Sequence, residues 1–174
     1  MGFFSKKITI SKITESLEKI FDVGYGSLVI GFKDTFKDQQ ILIDEEQDKE
    51  LVTVSTLAVI KAVLAAFGDT PAAKSIIGKF QHDIFNNYFK NIEERDKFGE
   101  LFWKRCDEYS KILNSENEDL VIQFGQIFCN HFFRKEEDGS HLAIMMFVGG
   151  AFLSQMIEIK KFLDEILSKC EVIV

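Results

Sequence analysis

The chain has 174 residues, with 28 acidic and 21 basic side chains for a formal charge of −7, and it carries 18 Phe but a single Pro. Hydrophobic residues at 46% and charged ones at 28% make it too apolar for a disordered chain, and so little Pro excludes collagen-like and Pro-rich linker architectures. The acidic balance argues against broad, sequence-independent binding of nucleic acid, which needs a basic surface to neutralise phosphates.

A chain of this length buries about 70% of its unfolded surface on folding, enough for one core without disulfides or a structural metal. Cys106, Cys129 and Cys170 lie far apart and include no Cys-x-x-Cys pair. An odd count with no secretory signal fits free thiols in the cytoplasm. At the start, Met1-Gly2-Phe3-Phe4-Ser5-Lys6 places Lys where a myristoylation signal needs Ser or Thr. The longest run without a polar side chain, Leu142 to Leu153, falls short of the roughly 20 residues that span a bilayer. A soluble, cytoplasmic chain without a transmembrane span is the expectation.

In chain order, Ser11 reads as an N-cap ahead of the stripe Ile13, Leu17, Ile20 and Phe21. Gly24, Gly26 and Gly31 surround Ser27 to Ile30, a segment open to either strand or loose helix. The short run Ile41-Leu42-Ile43 is stopped by Asp44-Glu45-Glu46, carboxylates that suit the positive end of a helix dipole. The helix they open runs to Phe67 and stops at Gly68. Thr70-Pro71 starts the next, since Pro at the first helical position gives up only an amide that would be orphaned anyway. Its buried face is Ile76, Ile77, Phe80, Ile84 and Tyr88.

A further helix spans about Ile92 to Leu113, with Phe98, Leu101, Phe102, Cys106 and Tyr109 inward. Ser115-x-x-Glu118 fits a capping box before Leu120, and the helix carrying Phe124, Ile127 and Phe128 ends in Arg134-Lys135. Asp138-Gly139-Ser140 opens a last helix to about Lys169. Leu51 to Phe67 and Leu142 to Leu153 are apolar nearly all round, the mark of helices enclosed by others. Ile8-Thr9-Ile10 and Val172-Ile173-Val174 are β-formers that can pair as a ribbon. The expected fold is therefore mainly α, a compact bundle of about six helices with two central apolar helices. It forms one domain over residues 1–174, with 1–10 flexible or a short strand.

Few residues are spaced for chemistry. Cys129-x-His131 and the adjacent His82 and Asp83 point away from each other on a helix, where a shared metal needs a spacing of three or four. His131 then reads as a hydrogen-bonded histidine near a helix end. None of the three His has the Glu three residues earlier that di-iron bundles require; those positions hold Lys79, Phe128 and Asp138. Cys106 has Lys104 and Arg105 beside it, yet it falls on the buried Phe102/Tyr109 stripe, where a thiol is inert. Gly24-Tyr25-Gly26 is too short for a phosphate-binding loop. No metal or cofactor is expected.

The six residues between Arg134 and His141 give a spacing that resembles the Arg-x(4–6)-His motif of the HEPN helical ribonucleases. That resemblance covers these two positions alone. It implies an Arg on phosphate and a His in acid/base work on the 2′-hydroxyl. Lys135-Glu136-Glu137-Asp138-Gly139-Ser140 intervenes, and its three acids would repel RNA.

Other features bear on binding. Phe3, Phe4, Lys6 and Lys7 join aromatics to cations, a small version of an interfacial anchor. Asp44 to Glu50 reads as a solvated helix start. Gly149-Gly150 inside a helix costs roughly 1 kcal/mol per Gly against Ala. Close packing offsets that cost, or else a pocket for an apolar ligand lies beside Met145, Met146 and Met156. Phe3, Phe4 and Phe133 stand outside the helical Phe sets as candidate partner contacts. The expected function is a non-enzymatic helical interaction module, binding a protein partner or a second copy. An apolar small molecule at Met145, Met146, Gly149, Gly150 and Met156 is the alternative, and ribonuclease action by Arg134 and His141 comes third.

Overall fold

The computed structural model describes residues 6–37, 43–115, 119–136 and 139–173. Six helices form the bundle: α1 (Ile10–Thr35), α2 (Glu45–Phe67), α3 (Pro71–Tyr88), α4 (Ile92–Leu113), α5 (Leu120–Phe132) and α6 (Leu142–Lys169). Strands β1 (Lys6–Thr9) and β2 (Cys170–Ile173) pair in parallel, with Lys6 opposite Cys170 and Thr9 opposite Ile173. The expected ribbon thus forms, and it ties the start of α1 to the end of α6.

The helix boundaries follow local chemistry. Asp44 accepts from the Gln47 amide at 2.9 Å, while the Gln47 side chain accepts from the Asp44 amide at 3.0 Å. That reciprocal capping box starts α2, and Gly68, at φ 65°, ends it. Thr70 caps α3 through the Ala73 amide, with Pro71 at the first position.

Three sequence readings need correction. α1 is capped by Thr9 instead of Ser11, its hydroxyl accepting from the Lys12 amide. The helix continues unbroken through Ser27 to Ile30, because Leu28 and Phe32 extend the buried stripe of Ile13, Leu17 and Phe21. Ser115 does not cap α5: its hydroxyl donates back to the Ile112 carbonyl at 2.7 Å, finishing α4, and Asp119 precedes α5 without a side-chain cap. Glu118, Asp138, Ile41, Leu42 and Val174 lie outside the described residues.

α2 occupies the centre. Leu51 to Ile60 are buried without interruption, and the helix packs against all five others. α6 lies along α2 and α5 and buries Ile144, Met145, Val148, Phe152, Ile159 and Leu163 toward them. Its far side is open, with Leu142, Met146 and Ile157 exposed. Enclosure holds for α2 from Leu51 to Ile60 and ends at the exposed Leu64, while α6 carries more apolar surface than the bundle consumes.

α5 and α6 cross on two glycines. A Cβ on Gly149 would sit 2.2 Å from the Val121 carbonyl oxygen, and one on Gly125 would sit 2.1 Å from that of Met145. Only a residue without a side chain lets the two backbones meet there. Phenylalanines fill the rest of the core. Phe124 stacks between Tyr109 and Phe152, at ring distances of 4.5 and 4.1 Å, joining α4, α5 and α6. Phe85 and Phe89 meet Phe98 across α3 and α4, and Phe32 meets Phe128 and Phe132 across α1 and α5. Each fully buried Phe contributes about 1.5–3 kcal/mol.

Candidate binding face along α1 and α6

α1 and α6 run antiparallel side by side, with Gly31 level with Phe147 and Gly24 level with Gln155. A Cβ on either glycine would strike the facing side chain, so the two glycines let Gln155 and Phe147 pack closely against α1, and a furrow runs beside them between the helices. The furrow encloses about 630 Å3. Ile20, Ser27, Leu28, Ala151 and Ile159 are among the residues along it, and Lys19 and Glu158 close one end. From Lys19 to Gly31 it extends roughly 18 Å at 1.5 Å per helical residue. The Nε2 of Gln155 is buried beside Gly24 without a hydrogen-bond partner.

Val23 lines the furrow, and further apolar side chains of α1 and α6 are open to solvent. On α1, Val23 is 71% exposed and Ile30 61%; on α6, Met146 is 54% and Ile157 48%. α2 and α6 are both long and apolar enough to cross a membrane by length and composition. They differ in what covers them: 72% of the α2 window is buried inside the bundle, against 33% for α6. Scattered surface apolar residues are ordinary, but several exposed apolar residues on two adjacent helices beside a largely apolar furrow mark a surface that something covers.

Comparison with protein-family models, curated proteins and solved structures finds no match to this chain. The face itself, and the polar groups of the interior, carry what can be said of function.

Two polar clusters are built on the first turns of α2, at Asp48 and at Glu50. Asp48 accepts from Tyr25 Oη at 2.5 Å and from the hydroxyl of Tyr88, which binds α1, α2 and α3 together. Glu50 accepts from Tyr109 Oη at 2.6 Å and pairs with Arg105 at 3.3 Å. Arg105 reaches Glu108 at 3.7 Å, and His131 Nε2 meets Glu108 at 2.6 Å. Burial drives the Glu50 carboxyl above its ordinary range, against the lowering effect of Tyr109 and Arg105. Burial also lowers His131, assisted by the Arg105 charge and opposed by Glu108. The segment Asp44 to Glu50 is therefore not simply a solvated helix start, because two of its acids are clamps inside the bundle. Every member of this network has a protein partner, which is the pattern of a structural cluster.

The residues singled out by sequence are scattered. Met145 is buried, Met146 is exposed and Met156 packs at the edge of the core. Gly149 faces the Val121 carbonyl, while a Cβ on Gly150 would meet nothing within 4 Å. None of the five is among the residues lining the furrow. Arg134, at φ 54°, turns its guanidinium to Asp44. His141 stacks on Phe133 at 4.1 Å, and its Nδ1 is 3.0 Å from the Ser140 hydroxyl. Both side chains thus have protein neighbours. Phe133 also meets Phe132 edge-on. Cys129 is buried, and burial pushes the Cys106 thiol up to about 12, far from the range of a nucleophile. Phe3 and Phe4 lie outside the described residues, while Lys6 and Lys7 belong to β1.

Sequence reading missed the furrow and both clamps. One signal for the clamp was present: Glu50 directly precedes a run apolar on every side, so an acid there borders the core. For the face, the signal was Val23 and Ile30, seven residues apart on a stripe otherwise shared with Lys19, Ser27 and Asp34.

Proposed function

We propose that this chain is a non-enzymatic helical interaction module whose working surface is the α1/α6 face, taking the apolar helical stripe of a protein partner. The observation that carries the reading is the uneven use of α6, an apolar helix with only 33% of its most hydrophobic stretch buried, beside a furrow lined by Gly24, Gly31 and Ala151. Small residues let an incoming helix approach closely, and exposed apolar flanks supply the area that it buries. Lys19 and Asp34 put one charge of each sign at the ends of the α1 stripe, which suits a protein surface with both signs.

A second reading uses the same furrow for an apolar small molecule. Its volume falls within the roughly 300–1,000 Å3 of ligand pockets, and the unpartnered Gln155 amide offers one polar contact.

Val23→Lys combined with Ile157→Lys tests the face. If these side chains serve binding, urea unfolding of the dilute variant stays within about 0.5 kcal/mol of the parent. An apolar dye such as anilinonaphthalene sulfonate then loses most of its fluorescence on the variant. Equal dye binding by both proteins, or loss of the fold in the variant, contradicts the reading.

A further inference from the structure

Four of the exposed apolar residues of this face, two on each helix, are arranged about a single level. Val23 and Ile30 are centred between positions 26 and 27 of α1, and Met146 and Ile157 between positions 151 and 152 of α6. Those two midpoints coincide across the antiparallel pair, because Gly31 is level with Phe147 and Gly24 with Gln155. Lys19 and Asp34 are centred on the same level of α1 and lie on the same stripe as Val23 and Ile30, at helical spacings of four, seven and four. Both are exposed, and neither belongs to an ion pair among the described residues. A surface with this symmetry is complementary to itself when turned over by a two-fold axis lying in the face, across the helices.

We infer that the partner of the α1/α6 face is a second copy of this chain, docked with α1 antiparallel to α1 and α6 antiparallel to α6. The inference rests on the reading of that face as the working surface. In this arrangement Val23 meets Ile30 of the second copy, and Met146 meets Ile157. Lys19 stands opposite Asp34, twice by symmetry. Gly26 and Ser27 lie at the axis, where small residues allow the two α1 backbones to come close.

A lipid surface explains the arrangement less well, since it would leave Asp34 unpaired beside an apolar stripe. The face measures about 22 Å along the helices from Lys19 to Asp34 and about 20 Å across two helices. Roughly 450 Å2 per copy is smaller than the ~800 Å2 of a standard stable interface, so the pairing is a concentration-dependent equilibrium.

Charge reversal in sedimentation velocity tests the register, because Lys19 and Asp34 are exposed and their replacement leaves the core intact. The parent protein is expected to dimerise reversibly. Lys19→Asp and Asp34→Lys each place like charges together twice and weaken the dimer about three- to tenfold at low salt. The double reversal restores it to within about twofold.

Three results overturn the inference: a parent that stays monomeric at every concentration, a dimer indifferent to all three variants, or a double variant as weak as the singles combined. Monomeric protein that sediments with phosphatidylcholine vesicles likewise overturns it. If the parent is monomeric but the dye experiment succeeds, the second copy is wrong and the binding face stands. If both fail, the face falls too.

Discussion

The Tyr109 hydroxyl donates to Glu50 Oε1 at 2.6 Å, fastening α4 to the central helix at a point where both side chains are almost wholly buried. Arg105 completes the clamp from the same helix as Tyr109. A carboxyl in that position answers to pH in a way that a surface acid does not.

Burial raises the Glu50 carboxyl above its ordinary 4.5, so the folded chain holds that proton more tightly than the unfolded one. Its contribution to stability is fully present below about 4.5 and is lost as pH rises through the raised folded-state value. Glu50→Gln removes this dependence. Urea midpoints measured from about pH 4.5 to about pH 7 should show the Gln variant gaining on the parent as pH rises. His131, lowered by burial from 6.5, acts in the opposite sense: its contribution is lost as pH falls through the lowered folded-state value, and it largely cancels in the comparison. Parallel curves for parent and variant would show that Glu50 is not the buried acid described here.

Gly149 and Gly150 are neighbours in sequence and opposites in packing. Gly150→Ala adds helix propensity at an open position and should stabilise by about 0.5–1 kcal/mol. Gly149→Ala gains the same propensity but drives a methyl into the Val121 carbonyl, so it should cost about 1–3 kcal/mol net. Thermal unfolding of the two variants decides the matter, and equal shifts of the same sign would contradict the α5/α6 crossing.

Much of the fold was legible because short-range chemistry and periodicity agreed. The acids Asp44-Glu45-Glu46, Gly68, and Thr70 with Pro71 marked both ends of α2 and the start of α3 before any tertiary contact was needed, and the structure adds the Asp44–Gln47 capping box. The continuous apolar run of α2 correctly placed it at the centre. The same inference went too far for α6, since an apolar helix is covered by whatever is available and a single chain need not supply it. Clamp geometry was beyond sequence reading, because Tyr25, Asp48 and Tyr88 come from three helices whose rotation is set by packing. The furrow depends likewise on Gly24 and Gly31 facing Gln155 and Phe147, a relation between two elements that no single stripe reveals.

Disulfide trapping tests the two-fold face most directly. In a Cys170→Ser background, which removes the one partly exposed native thiol, Ser27→Cys lies next to the proposed axis. Ser16→Cys lies on the same stripe but about 30 Å from its own counterpart in the antiparallel pair. Mild oxidation at dimer-forming concentration should give covalent dimer with Ser27→Cys and leave Ser16→Cys monomeric. Crosslinking of both positions would mean a parallel pairing, and crosslinking of neither would mean that this face does not meet itself; either result contradicts the account.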